Sequence, residues 1–117
     1  MSRRDLSGAV DFSVLDRMTG GDDAVSEEVL GLFVQQAAMW SSLLDHRTEG
    51  WRDAVHTIRG AAAGIGAQDL AKVCQSAEAS TQALAPAALD HVRTALDIAL
   101  ADVAAWRHEL MLRGLKG

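Results

Sequence analysis

WRDAVHTIRGAAAGIGAQDLAKVCQSAE, residues 51–78, decides the fold. At about 100° per residue, Trp51, Ala54, Val55, Ile58, Ala61, Ala62 and Ile65 fall on one half of a helical circle, which makes that half a core face. The opposite half carries His56, with Arg52 one turn before it and Arg59, Gly60 and Ala63 after it. Gly66 breaks the pattern, and Leu70, Val73, Ala77 and Leu84 resume it, so the spacing predicts one helix over 49–64, N-capped by Thr48, and another over 67–84. Two consecutive amphipathic helices leave apolar faces that further helices must cover.

The flanking sequence supplies them. Over 22–46, Val29, Phe33, Trp40 and Leu43 repeat at three-and-four spacing, with Gln36 as the one polar member of that seam. Pro86 suits the first turn of a last helix, where Leu89, Val92, Leu96, Ala99, Val103, Trp106 and Leu110 keep an a/d rhythm to about residue 112. Residues 11–19 read as a short lid helix with Phe12, Leu15 and Met18 on one side, closed by Gly20 and Gly21. The expected fold is all-α: an antiparallel four-helix bundle over about 22–112 with a short additional N-terminal helix, residues 1–117 forming a single domain.

Composition supports helices and narrows the function. The chain has 117 residues, a single proline, no tyrosine and abundant alanine, which favours helix over sheet. A formal charge of −5 gives no basic footprint for nucleic acid. No run of about 18 apolar residues is present to span a membrane, and no secretory signal is visible, so the expected location is cytoplasmic and the expected partners are soluble proteins. The single Cys74 permits no internal disulfide. It falls on a buried side of its helix, where a thiol is a small core residue.

The chemistry centres on His56. Gly60 and Gly64 inside a helix cost about 1 kcal/mol each relative to alanine, a loss that close approach by another molecule would offset. His56, Arg59, Gly60, Ala63 and Gly64 therefore form a bare cationic shelf bearing one nucleophile, which invites a concave partner. Imidazole, with an ordinary pKa of about 6.5, is largely neutral near pH 7 and offers a ring lone pair to phosphorus without a separate base. A guanidinium one turn away, that of Arg59, can neutralise charge on the equatorial phosphoryl oxygens.

Other chemistries fit less well. A metal site is not expected, because Glu49 and Asp53 near His56 share their face with Arg52 and Arg59. GAAAGIGA, residues 60–67, lacks the GK[ST] ending of a phosphate-binding loop and follows no strand pattern. His46, His91 and His108 lack an Arg and Gly setting, and Trp40, Trp51 and Trp106 lie on apolar seams as core.

The segment AVHTIRGAAAGIGAQDLAKVCQSAE, residues 54–78, resembles the core motif of histidine-containing phosphotransfer domains. That family follows its phosphorylated histidine with a basic residue three on, glycine four on, glycine ten on and leucine fourteen on. His56, Arg59, Gly60, Gly66 and Leu70 fill those places, and Cys74 and Glu78 continue the pattern. LGLFVQQAAMWSSLL upstream is similar to the family's second helix, so the resemblance covers about residues 12–112. Two positions depart from it: Arg59 stands where lysine is commoner, and Ala62 where serine is frequent.

The resemblance implies a phosphorelay phosphocarrier without autonomous kinase activity. It would accept a phosphoryl group on His56 from a receiver-domain aspartate and pass it to another receiver. Partners would be receiver domains of response regulators or hybrid histidine kinases, met by a monomer that binds no cofactor; the divalent cation would sit on the partner receiver. Arg59, Gly60 and Glu78 would support the site, Glu78 by accepting a hydrogen bond from a ring N–H of His56. Arg52, Ala63, Gly64, Leu15 and Met18 would line the partner interface. The competing reading is an adaptor that binds receivers through the same shelf without being phosphorylated.

Overall fold

A computed structural model describes residues 7–116 as five helices with no strand among them: α1 (Phe12–Thr19), α2 (Asp23–Ser41), α3 (Trp51–Ile65), α4 (Gln68–Glu78) and α5 (Ala85–Lys116). Local signals set several boundaries. Asp11 caps α1 by accepting from the Ser13 N–H, and Asp22 caps α2 by accepting from the Ala24 and Val25 N–H groups. α3 ends on Gly66 at φ +90°, whose N–H turns back to the Ala62 and Ala63 carbonyls.

α2 packs on α3 and α5, and α4 packs on α3 and α5, so the four long helices close into a ring. α1 lies across α2 and α3. Every seam position expected in α5 is buried, from Leu89 through Leu110. Trp106 stacks on Phe12 of α1 with ring centroids 4.9 Å apart, and Trp40 and Trp51 are likewise in the core. Arg107 grips Glu27 with Nη2 at 2.6 Å and Nε at 2.9 Å, tying α5 to α2.

The structure departs from the sequence pattern in the seam of α2 and at several helix ends. The buried seam of α2 is Ser26, Leu30, Phe33, Ala37, Trp40, with Leu44 just beyond the helix. Phe33 and Trp40 belong to both readings. The structure turns the helix so that Ala37 faces inward and Gln36 faces solvent, which avoids burying an amide and lets helices approach closely. Leu43 is exposed and Val29 only half-buried. The buried Ser26 is satisfied by Thr19, whose Oγ1 lies 3.0 Å from its Oγ.

α2 stops at Ser41 instead of continuing to residue 46, and the histidine helix starts at Trp51 after Gly50 rather than being capped by the Thr48 side chain. α4 stops at Glu78, because the Ser80 hydroxyl and N–H both bond back to the Ala77 carbonyl and close the last turn. Leu84, placed on the buried seam by its spacing, lies beyond that stop and is exposed. α5 extends past residue 112 to Lys116.

Asp102 of α5 is buried, and its carboxylate accepts from the Ser7 N–H at 2.8 Å, the Ser7 hydroxyl at 2.9 Å and the Val10 N–H at 3.2 Å. A buried carboxylate is tolerated because donors surround it. Here they pin the segment leading into α1. The available signal was position: Asp102 sits three residues after Ala99 and four before Trp106, inside the α5 seam.

Candidate functional site

The apolar half of α3 is buried through Trp51, Ala54, Val55, Ile58, Ala62 and Ile65, so the opposite face points outward. His56 stands on that face with 71% of its side chain exposed. Its Nδ1 lies 3.1 Å from Oε2 of Glu78, the last residue of α4. A carboxylate only accepts, so the contact places a proton on Nδ1, and in the neutral ring the lone pair is then on Nε2. The second carboxylate oxygen of Glu78 accepts from Arg59 Nη1 at 3.5 Å. Glu78 thus joins the imidazole and the guanidinium that the sequence placed one turn apart.

The surroundings keep this cluster open. A Cβ on Gly60 or Gly64 would meet nothing within 4 Å, so neither glycine is required by packing inside the molecule, and Ala63 beside them is exposed. Gly66 is the opposite case. A Cβ there would lie 2.2 Å from the Asp11 carbonyl oxygen, and the Asp11 N–H donates to the Gly66 carbonyl at 2.9 Å. The glycine ten residues after the histidine lets α1 seat against the end of α3.

Arg52, expected at the partner interface, is exposed, but its guanidinium turns sideways onto α4. Nη1 donates to the Glu78 carbonyl at 2.7 Å and Nη2 to the Ser80 carbonyl at 2.9 Å, while the group lies 4.3 Å from the centre of the Trp51 ring. Nothing in the sequence signalled this, since it depends on where α4 ends. Leu15 is corrected outright: it has no exposed surface, because α1 turns it into the bundle, and it cannot line an interface. Met18, one turn on, is 57% exposed.

Cys74, one turn before Glu78, is fully buried. Burial, and after it the negative charge of Glu78, pushes its thiol up to about 12 despite the opposing charge of Arg59. It is a core group beneath the site. Among the described residues no three His, Cys, Asp or Glu side chains gather as metal ligands, and no helix is long and apolar enough to cross a membrane.

Residues 28–106 match the family model of the Hpt domain. The chain belongs to the Hpt domain family. His56, Arg59, Gly60, Gly66 and Glu78 all lie inside the matched segment of this Hpt domain. Its fold is also that of a crystal structure of the histidine phosphotransferase ShpA from Caulobacter crescentus, with 50% sequence identity, a TM-score of 0.78, and coverage of 92% of this chain and 99% of that one. No curated protein matches the chain. As an Hpt domain it is a phosphorelay phosphocarrier, and its helical bundle is the family's.

Proposed function

We propose that this Hpt domain carries its phosphoryl group on Nε2 of His56, taking it from the aspartyl phosphate of one receiver domain and delivering it to the aspartate of another. The observation that supports the assignment is the 3.1 Å contact between His56 Nδ1 and Glu78, which favours the neutral tautomer with its lone pair on Nε2, on a side chain that is largely exposed. In the forward step the Nε2 lone pair attacks phosphorus, a P–N bond forms as the P–O bond to the aspartate breaks, and the aspartate leaves as carboxylate. The proton on Nδ1 stays in place, so the phosphorylated ring is cationic and Glu78 lies beside that charge.

Arg59 is within reach of Glu78 and on the face of His56, so exchange of its guanidinium from the carboxylate to the phosphoryl oxygens supplies charge where the transfer develops it. Gly60, Ala63 and Gly64 admit the receiver surface, and Met18 extends the interface from α1. The receiver contributes the divalent cation; this chain acts as a monomer in the cytoplasm, binds no cofactor and has no kinase activity of its own.

His56→Gln tests the assignment. Incubated with a phosphorylated receiver, the variant takes up no phosphoryl group, while its circular dichroism and melting temperature stay at wild-type values because the side chain contributes nothing to the core. Retained labelling refutes the site. Receiver binding by the wild type without any labelling would support the adaptor instead.

A further inference from the structure

The three ties between α3 and α4 at the site converge on one residue. His56 and Arg59 bond the carboxylate of Glu78, and Arg52 bonds its backbone carbonyl. Glu78 ends α4, where the last carbonyls have no helical partner and the helix dipole presents its negative end. A guanidinium fork satisfies two acceptors in one plane, and Arg52 uses it on the Glu78 and Ser80 carbonyls, with its other side against the Trp51 ring. Trp51 is buried, so this platform is fixed to the core.

We propose that Arg52 is a positioning residue for the phosphoryl-accepting histidine: by holding the backbone of α4's last turn it keeps the Glu78 carboxylate on Nδ1 of His56 and so keeps Nε2 available to phosphorus. The proposal rests on the reading of Glu78 given above. A glutamate has three rotatable side-chain bonds, and a terminal helical turn frays readily. The carboxylate stays on the ring only if the backbone that bears it is held. Arg52 and His56 are one turn apart on the same face of α3, so fixing α4 to Arg52 sets the distance from α4 to His56. The arginine acts through Glu78 and touches no reacting atom.

The experiment compares wild type, Arg52→Gln, Arg52→Lys, Glu78→Ala and the Arg52→Gln/Glu78→Ala double variant. Two readouts are taken on each: the His56 ring tautomer, from long-range proton–nitrogen NMR correlations at alkaline pH where imidazole is neutral, and the rate of phosphoryl uptake from one phosphorylated receiver. Circular dichroism checks the fold.

In Arg52→Gln the ratio of Nδ1–H to Nε2–H tautomer is expected to fall about fivefold, as for loss of one hydrogen bond of ordinary strength. Uptake should fall with it. Arg52→Lys keeps the charge without the fork and should follow Arg52→Gln. In the Glu78→Ala background the Arg52 change should have no further effect on the tautomer.

A wild-type tautomer in Arg52→Gln, with the tautomer altered in Glu78→Ala, overturns the proposal while leaving the role of Glu78 intact. An unaltered tautomer in Glu78→Ala overturns the underlying reading and the proposal with it. Full recovery of both readouts by Arg52→Lys would show that charge alone suffices and would also overturn it.

Discussion

Replacing Gly66 by alanine tests why the histidine helix ends where it does. Gly66 has φ +90°, a region that costs an L-residue about 1–2 kcal/mol. The added Cβ would lie 2.2 Å from the Asp11 carbonyl oxygen, 3.0 Å from its carbon and 3.2 Å from Val14 Cβ. The two nearest atoms are backbone, so relief requires the N-terminus of α1 to move, an overpacking cost of about 1–3 kcal/mol. That movement also strains the Asp11 N–H bond to the Gly66 carbonyl, worth about 1 kcal/mol. Together these predict a loss of about 3–6 kcal/mol, or about 12–24 °C in melting temperature at about 4 °C per kcal/mol. Urea unfolding monitored by tryptophan fluorescence measures it, with Gly64→Ala as the control. Gly64 has open space above it and a helical backbone, so alanine there should add about 1 kcal/mol. If Gly66→Ala unfolds within about 1 kcal/mol of wild type, the seating of α1 on Gly66 is wrong.

Gly60→Gln should gain about 0.5 kcal/mol from helix propensity yet slow phosphoryl uptake tenfold or more, since the side chain would fill the open shelf; a lower melting temperature or wild-type uptake contradicts the access role. Asp102→Ala strands the Ser7 and Val10 N–H groups and should cost about 2–3 kcal/mol in denaturant unfolding, with faster amide exchange at Val10; a change below about 0.5 kcal/mol removes Asp102 from the account of α1 docking. Cys74 should resist thiol reagents at pH 8 until the protein is unfolded. Its folded thiol stays protonated up to about 12 while the unfolded one ionises near 9.0, so the native state holds the extra proton between those values and stability falls with rising pH, by up to about 1.4 kcal/mol per unit. Cys74→Ala should flatten that decline, and identical slopes would show that the thiol does not contribute.

Periodicity and residue chemistry alone determined a great deal here. The apolar half of α3 was legible because seven positions agree on one face, and the α5 seam because it runs through three heptads; such repetition leaves a helix only one way to turn. His56, Arg59 and Gly60 follow from that reading, since their place on the outward face depends only on helical geometry within one segment. Tertiary structure decided what depends on meeting another segment. α2 has a weaker pattern, with Phe33 and Trp40 shared by two possible faces, and its choice of Ala37 over Gln36 was set by neighbours it must fit against. Leu15 and Met18 look alike on a short helix, and only docking of α1 buries one and exposes the other. The contact of Glu78 with His56, which the family resemblance implied and local spacing could not, and those of Arg52 with the end of α4 and of Asp102 with Ser7 span 22, 26 and 95 residues. Each joins side chains or carbonyls whose separation is fixed only when the bundle closes, because local spacing constrains direction around one helix axis and carries no distance to the next.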